Sequence, residues 1–389
     1  MSYPLSKRLQ LYGFALDAVI LFPVFALIAH IRARRRTGPL RVLVVPILTR
    51  VGDLVCSTPV FREIKIRYPN AHLAVVVGRK AKGILAHNRR IDELIDYNDE
   101  RFHGWFGRAY FFFVLYTRRF DAVLSLGSSV SGTLIGVFAA ATVRAKITVS
   151  RAPLLERLTD RLNTHRFRYA DGSFLPRHYL SLLSAIGIDA SAASITKEVF
   201  PTEAGSAKAR TFLTNAFGGA PPLVVGITVS AGNSIKEWPL PRFASVADTL
   251  VEQYGAKIIF IDSPANRARA AKTARLMRHG ELAANSTDFS LEEMPSIIKH
   301  LNLYIAADSG PIYVACALGV PLIDIIGPVD PNEQPPNDER SIQVRPSEPI
   351  KPSSFVFKKP GTAIEHKQAV DSITVGMVMA AIDKLLFKN

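Results

Sequence analysis

The sequence is poor in cysteine and in acidic residues. Its 389 residues include two cysteines, Cys56 and Cys316, which lie far apart in the chain. A metal centre built from several cysteines is therefore excluded, and the chain suits a reducing compartment. Asp and Glu number 33 against 48 Lys and Arg, so the formal net charge is +15. This charge predicts an anionic partner: nucleic acid, an anionic membrane surface or a phosphorylated glycolipid.

Signatures of nucleic-acid binding are missing as well. The chain has no zinc-finger spacing, no arginine-rich repeat and no aromatic RNA-binding motif, so we expect no nucleic-acid partner. Hydrophobic residues make up 48% of the chain, which argues against a largely disordered protein. A chain of this length can form two domains, each with its own core.

One apolar segment lies near the N-terminus. Residues 11–31 are apolar on all sides of a helix except at Asp17, and four arginines follow within residues 32–36. The segment is just long enough to span a bilayer, but a charge near its middle is costly there and Pro23 would kink the helix. It is therefore a spanning or re-entrant anchor, a helix in the membrane interface, or a helix packed on the protein. The basic cluster favours a cytoplasmic location for the rest of the chain.

The clearest strand, turn and helix unit occupies residues 42–69. A β-branched apolar run, residues 42–47, predicts a buried parallel strand, and a polar turn leads from it into a helical pattern. Ligands of open α/β sheets bind beyond the carboxyl ends of the strands. The turn therefore predicts four site residues, which are Thr49, Arg50, Gly52 and Asp53. Asp53 is either a carboxylate that caps the helix or a functional group.

Three further features of the N-terminal half bear on the site. Residues 120–126 predict another strand, which would bring Gly127 and Ser128 to the same edge of the sheet. Residues 105–120 predict an amphipathic helix with buried aromatic rings or, less favoured, a basic aromatic surface for a glycolipid. The arginine-rich passage 151–168 is either a solvated face or a contact for phosphates of an acidic ligand.

The C-terminal half begins after residues 188–222, a stretch rich in Ala, Ser, Thr and Gly where we place the domain boundary. A predicted strand, residues 223–229, leads into a loop that contains Gly232, Asn233 and Ser234 and is followed by Lys236. Backbone N–H groups of such a loop can approach a diphosphate closely, and a nearby ammonium neutralises its charge. The alternative for Lys236 is a solvated surface lysine.

Two more strands end in polar residues at the same predicted edge. Residues 257–261 end at Asp262, and residues 303–306 run into the turn Asp308-Ser309-Gly310-Pro311. A helix that begins with free N–H groups binds anions, so this turn is predicted to hold phosphates or hydroxyls, and Pro311 suits the first helical turn. A capped helix, with Asp308 or Ser309 as the cap, is a compatible alternative.

Taken in order, these motifs resemble glycosyltransferase family 9, the lipopolysaccharide heptosyltransferases. The resemblance covers the chain from Arg41 to the C-terminus. It is carried by Gly52-Asp53 with Thr58-Pro59, by the loop from Gly232 to Lys236 with Trp238-Pro239 and Arg242-Phe243, and by Asp308-Ser309-Gly310-Pro311.

The resemblance implies an α/β protein of the GT-B type, with two Rossmann-like domains facing each other across a cleft and, here, a hydrophobic N-terminal helix. We divide the chain into a membrane-associating segment (1–40), an acceptor domain (41–205), a sugar-nucleotide domain (206–370) and a C-terminal helix (371–389). In transferases of this kind the last helix commonly crosses back to the first domain.

The resemblance also implies the chemistry. Asp53 is the expected general base for an acceptor hydroxyl, and Lys236 with the turn at 308–310 is expected to stabilise the departing diphosphate. The expected donor is ADP-heptose, the expected acceptor is the anionic core of a lipopolysaccharide or a related glycan, and the location is the cytoplasmic face of the inner membrane. The expected reaction inverts the anomeric carbon and needs no further cofactor. Because the chain has no Asp-x-Asp pair, we also expect it to need no metal.

Two positions depart from the family pattern. Asn266, in the turn DSPAN, stands near a position where the family often has Glu, and Tyr313 stands where the family usually has His. A phenol differs from an imidazole in shape, charge and proton affinity. These departures leave two alternatives open, a non-catalytic relative that binds a sugar nucleotide or glycolipid at the membrane and a sugar-nucleotide epimerase of the same fold.

Overall fold

A computed structural model describes residues 5–48, 50–150, 152–219, 221, 223–336, 339–348, 351–352, 355–357 and 368–386. The chain divides into two compact units, which are Met1–Lys82 with Asn88–Thr196 and Gly83–His87 with Lys197–Asn389. The chain crosses from the first unit to the second at residues 196–197, which lie within the stretch 188–222 where we place the domain boundary. The domain limits at 205/206 and 370/371 stay predictions.

The first unit contains a parallel sheet of six strands. They are β1 Arg41–Val45, β2 His72–Val77, β3 Glu93–Asp96, β4 Ala122–Ser125, β5 Val143–Val149 and β6 His165–Tyr169. Their order in the sheet is β3-β2-β1-β4-β5-β6, so the direction of winding reverses between β1 and β4. The central strands β1 and β2 are almost entirely buried, as expected of β-branched strands covered by helices on both faces.

Seven α-helices of the described residues accompany this sheet. They are α1 Leu5–Arg34, α2 Val51–Cys56, α3 Thr58–Arg67, α4 Gly104–Thr117, α5 Val130–Phe138, α6 Leu154–Asp160 and α7 Leu175–Ser181. By length and hydropathy α1 is long and apolar enough to cross a membrane, with a mean hydropathy of 2.3 over its apolar window. It nevertheless packs on the unit, because Phe14 stacks on Trp105 with ring centroids 4.8 Å apart and Phe25 meets Tyr116 edge-on.

The second unit repeats the architecture. Its strands are β7 Val224–Thr228, β8 Lys257–Phe260, β9 Ala283–Asn285, β10 Leu303–Ala307, β11 Leu322–Ile325 and β12 Ser341–Val344. Their order is β12-β11-β10-β7-β8-β9, so β7 and β10 correspond to β1 and β4. Its α-helices include α8 Glu203–Phe217, α9 Leu240–Tyr254, α10 Arg267–Leu276, α11 Met294–Ile298, α12 Gly310–Ala317 and α13 Val375–Leu386, and residues 368–371 are also helical.

The predicted fold class is confirmed: the protein is α/β, with two parallel Rossmann-like sheets and an apolar N-terminal helix. The arginine-rich passage 151–168 continues the alternation of helices and strands. It contains α6 and the edge strand β6, while Arg151 lies outside the described residues. β6 escapes a search for apolar runs because most of its side chains are exposed, as an edge strand permits.

The aromatic segment at 105–120 has some of its rings in the core and others on the surface. It forms α4, in which Phe111 and Phe112 are buried in the core, as predicted for an amphipathic helix. Phe106 and Phe113, in contrast, are exposed. The stretch 188–222 is also less uniform than a linker, because it contains α8.

Candidate functional site

Except for Asp262, which follows β8, the predicted site residues that the structure describes lie where the winding of each sheet reverses. In the first unit they follow β1 and β4, which pair in parallel with Val45 opposite Ser125. In the second unit they follow β7 and β10, which pair in parallel with Thr228 opposite Ala306. A doubly wound sheet opens a crevice at this position, because the connections on its two sides leave in opposite directions.

Asp53 lies inside the first turn of α2, not in the turn before it. The N-cap of α2 is Arg50, which makes no side-chain capping bond, so the capping interpretation of Asp53 does not apply. The carboxylate is 5% exposed, and Arg50 Nη1 lies 3.7 Å from its Oδ2. Its position near the helix N-terminus favours a negative charge. A carboxylate largely withdrawn from water thus sits at the reversal point of the first sheet.

The loops after β1 and β4 are neighbours. A Cβ added to Gly127 would lie 3.7 Å from Ile47 Cγ1, so the β4 loop passes beside the segment that leads to Asp53. Gly127 and Ser128 are half-buried, and Ser129 is the N-cap of α5 without a side-chain capping bond. Thr49 lies outside the described residues.

In the second unit, Lys236 contacts Asp308. Lys236 ends the short helical turn Ser234–Lys236, and Asp308 follows β10. Lys236 Nζ lies 2.5 Å from Asp308 Oδ2, and the two side chains are 23% and 11% exposed. Lys236 is therefore not a freely solvated lysine. It is held by a carboxylate at the reversal point of the second sheet.

The loop before Lys236 has open space beside it. Asn233 accepts a hydrogen bond from the backbone N–H of Ile235 and so begins the turn. A Cβ added to Gly232 would meet nothing within 4 Å among the described residues. Gly232 and Ser234 are exposed. The loop can therefore receive a ligand without displacing protein.

The helix α12 begins as predicted, with Ser309 as its N-cap and Pro311 in its first turn. Ser309 makes no side-chain capping bond. Its Oγ is buried and has no hydrogen-bond partner among the residues that the structure describes. A buried hydroxyl without a partner is costly, and such groups call for a ligand or water. The N-terminus of α12 and this hydroxyl therefore form a polar start next to Asp308 and Gly310.

Tyr313, at the position where the family usually has His, belongs to the same cluster. Its hydroxyl lies 3.4 Å from Asp308 Oδ1 and donates to the carbonyl of Gln334 at 2.7 Å. The phenol thus joins Asp308 to the segment after β11.

Asp262 forms a second cluster, at the ends of β7 and β8. Ser230 Oγ lies 2.6 and 2.7 Å from its two carboxylate oxygens. Asn266 Nδ2 donates to both Ser230 Oγ and Asp262 Oδ1 at 2.8 Å. The turn DSPAN is thus fixed to the end of β7 by side-chain hydrogen bonds.

The sequence reasoning missed Asp324. This residue lies in β11 directly opposite Ala306 of β10, is 1% exposed, and its Oδ1 has no hydrogen-bond partner within the described ranges. Burial, and next the charge of Asp308, raise the pKa of Asp324 well above its usual value, against an opposing effect of Lys236. The signal in the sequence was a single charged residue inside the apolar run 321–326.

Trp238 and Arg242, which follow Lys236 in the second family motif, make hydrogen bonds within the protein. Trp238 is fully buried and donates from Nε1 to the carbonyl of Ile373 at 2.9 Å. Arg242 Nη1 donates to the carbonyls of Asp371 and Ile373 at 2.6 and 2.7 Å. These bonds fix the segment before α13 to the start of α9.

Comparisons with known proteins agree with this arrangement. Residues 111–358 match the profile of glycosyltransferase family 9 (heptosyltransferase). The chain is 24% identical to lipooligosaccharide heptosyltransferase 2 of Haemophilus influenzae over 349 residues, which are 87% of this chain and 97% of that protein.

Two solved structures share the fold. A glycosyltransferase of family 9 from Veillonella parvula superposes with a TM-score of 0.73 at 20% identity, covering 90% of this chain and 98% of that one. The Escherichia coli heptosyltransferase WaaC with ADP-2-deoxy-2-fluoro heptose superposes with a TM-score of 0.63 at 19% identity, covering 89% and 99%.

Proposed function

Because the chain belongs to glycosyltransferase family 9, the heptosyltransferase family, we propose that it transfers heptose from ADP-heptose to the core of a lipopolysaccharide. The general activity, glycosyl transfer, follows from the family and from curated relatives matched over nearly their whole length. We propose, beyond this, the donor, the acceptor, the stereochemistry and the residues that take part in the reaction.

The observation that carries the proposal is the contact of Lys236 with Asp308 beside the start of α12. When the donor reacts, the bond between its anomeric carbon and the β-phosphate oxygen breaks, and negative charge develops on that oxygen. An ammonium and helix N–H groups fixed beside it stabilise this charge without reorganising. Asp308 orients Lys236 through the 2.5 Å contact, and the partnerless Ser309 hydroxyl is a hydrogen-bonding group for a phosphate or a sugar hydroxyl.

Gly232, Asn233 and Ser234 form the other side of the proposed diphosphate site, because space is open beside Gly232. We assign Gly310 and Pro311 to the same site as the first residues of α12. Asp262, tied to Ser230 and Asn266, is assigned to the nucleoside end of the donor. Its carboxylate suits ribose hydroxyls, which are hydrogen-bond donors.

Asp53 is the proposed general base. As the acceptor hydroxyl attacks the anomeric carbon from the side opposite ADP, its proton becomes acidic, and the Asp53 carboxylate accepts it. The carbon inverts, ADP leaves, and no covalent intermediate on the protein is needed. Burial of Asp53 keeps water from competing for the same position. Arg50, Gly52, Thr49, Gly127 and Ser128 are proposed to line the acceptor side.

We propose that the reaction needs no metal ion, because Lys236 and α12 supply the positive charge and the sequence has no Asp-x-Asp pair. ADP is preferred as the nucleotide because a structural relative has been solved with an ADP-linked fluoroheptose. The net charge of +15 suits a phosphorylated lipopolysaccharide core at the cytoplasmic face of the inner membrane.

A binding screen followed by a transfer assay tests this function. The melting temperature of the purified chain is measured with ADP-heptose, ADP-glucose, UDP-sugars and GDP-sugars. In a separate assay, unheated protein is incubated with the donor and with lipopolysaccharide from heptose-deficient cells. A donor at a hundredfold excess over its Kd stabilises the folded state by about 2.7 kcal/mol. We expect selective stabilisation by ADP-heptose, weaker stabilisation of Lys236→Ala, and heptose in the lipopolysaccharide product. Stabilisation by another sugar nucleotide alone, or conversion of the donor without an acceptor, would contradict the proposal.

A further inference from the structure

The outward side of α1 is as apolar as the side that packs on the first unit. The packed side buries Phe14, Ala15, Ala18 and Ala29. The opposite side exposes large apolar residues along the whole helix, with exposed fractions of 61% for Leu9, 61% for Leu16, 63% for Ile20 and 60% for Leu27. A helix that is apolar all round is normally covered on every side. Among the residues that the structure describes, those that pack on α1 cover one side of it.

Helix α4 widens this surface. It runs beside α1 in the same direction, because Phe14 meets Trp105 near the start of both helices and Phe25 meets Tyr116 further along. Phe106, Tyr110 and Phe113 follow one another at helical spacing and are exposed. Their stripe lies on the face of α4 next to the one that carries Trp105 and Tyr116, which contact α1.

Helix α6, which also packs against α1, contributes the other flank. Leu154 and Leu158 are exposed, and Arg157 and Arg161 lie on the same face of the helix. The exposed residues of α1, α4 and α6 thus form one apolar surface, which we call the three-helix surface. Contiguous apolar surfaces of this kind mark interaction sites in soluble domains, whereas single exposed apolar residues do not.

The border of the three-helix surface is basic. Arg34, Arg35 and Arg36 are exposed at the end of α1, and Arg157 and Arg161 are exposed on α6. Between residues 9 and 31 the one Asp, Glu, Lys or Arg is Asp17, which is half-buried. An apolar centre with a basic border and exposed Trp and Tyr rings suits the head-group layer of an anionic bilayer. A second copy of the chain would instead bring two basic borders together.

We propose that the three-helix surface docks on an anionic lipid bilayer, with α1 lying in the plane of the membrane and not across it. A spanning orientation would separate α1 from α4 and α5 and expose the rings that now pack on Phe14 and Phe25. In the plane, α1 keeps these contacts and its outward side is covered by lipid. The docking proposal depends only on the geometry of the three-helix surface. A further consequence, that docking brings the first unit to a lipid-linked acceptor, rests on the proposed function.

Vesicle binding by the full chain tests the docking. Purified protein is sedimented with neutral vesicles and with vesicles that contain an anionic phospholipid. Two double variants, Leu16→Glu/Ile20→Glu on α1 and Phe106→Glu/Phe113→Glu on α4, each place charge on the surface. Ile66→Glu and Leu276→Glu are matched controls, because these residues are exposed apolar side chains on α3 and α10. Circular dichroism and thermal unfolding of every variant show that it is folded, and ADP binding tests the donor site separately.

We expect tight binding to anionic vesicles, a loss of about tenfold or more in both double variants, and no loss in the controls. Loss in the α1 variant with full binding of the α4 variant would indicate a spanning helix and overturn the proposal. A concentration-dependent dimer without vesicle binding, abolished by the same substitutions, would overturn it as well.

The two tryptophans provide a second readout. Trp105 lies at the edge of the three-helix surface, whereas Trp238 is fully buried in the second unit. Phospholipids brominated near the head group are expected to quench the fluorescence of bound protein more strongly than those brominated near the chain end, and Trp105→Phe should remove the quenching. Equal or stronger quenching by the deep label would contradict docking in the plane.

Discussion

Lys236 and Asp308 are 72 residues apart in the chain, and their side chains meet at 2.5 Å. Each follows a strand at the reversal point of the second sheet, and each is more than three-quarters buried. The pair therefore has two separable roles, which are to satisfy a partly buried carboxylate and to present an ammonium to the donor.

Removing both charges should separate these roles. Lys236→Met leaves the Asp308 carboxylate without its partner, at a cost of about 1–3 kcal/mol in the free energy of unfolding. The double variant Lys236→Met/Asp308→Asn should recover most of this stability. Transfer should stay about 10²–10³-fold below the parent in both, because the leaving group lacks its ammonium. Recovery of transfer in the double variant, measured with urea unfolding in parallel, would show that the lysine is structural.

Asp324 predicts a pH dependence of stability. Its folded-state pKa is raised, so its favourable contribution is complete below the unfolded value near 3.8 and is lost as the pH rises through the folded value. Within that window each pH unit costs up to about 1.4 kcal/mol. Asp324→Asn does not titrate. The free energy of unfolding of the variant minus that of the parent should therefore increase from acid to neutral pH.

Urea unfolding of the parent and of Asp324→Asn, each at an acidic and at a neutral pH, measures the difference between their free energies of unfolding. A difference that does not change with pH would contradict the raised pKa.

Two glycines of the second unit form a matched pair. Gly232→Ala should leave stability unchanged, because open space lies beside Gly232, but it should weaken ADP binding where the diphosphate approaches the backbone. In Gly226→Ala the new Cβ would have to displace the Leu301 side chain in the core, at about 1–3 kcal/mol. Thermal unfolding and calorimetric ADP titration distinguish them. Unchanged ADP affinity in Gly232→Ala would remove this loop from the proposed donor site.

Trp238 should matter for stability and not for chemistry. Trp238→Phe keeps a buried ring but removes the donor to the Ile373 carbonyl, which Arg242 still contacts. We expect a loss of about 0.5–2 kcal/mol in unfolding free energy and an unchanged kcat. A lower kcat with unchanged stability would place Trp238 in the site.

Much of this arrangement was predictable from local patterns. The strand before Asp53 and the turn from Asp308 to Pro311 were expected where they are found, because buried parallel strands are continuous apolar runs and helix starts have their own residue preferences. Strand β4, Ala122–Ser125, lies within the predicted run 120–126. Edge strand β6, most of whose side chains are exposed, had no such signal.

The relationships between distant residues were not predictable in the same way. The contact of Lys236 with Asp308 depends on β7 lying next to β10, and the burial of Asp324 depends on β11 lying on the other side of β10. The packing of α1 on Trp105 likewise depends on the tertiary position of α4. Local propensity carries no information about these neighbours, so the sequence identified Lys236 and Asp308 as site residues but did not predict their contact.

Single-turnover transfer by Asp53→Asn tests the central claim most directly. The amide cannot accept the proton of the acceptor hydroxyl, so transfer from ADP-heptose should fall by about 10²–10⁴-fold while donor affinity stays unchanged. Asp92→Asn is the matched control, because Asp92 precedes β3 at the opposite edge of the first sheet and pairs with Lys65. The proposal predicts full transfer in Asp92→Asn and near-complete loss in Asp53→Asn. Transfer by Asp53→Asn at the parent's rate would show that Asp53 is not the base.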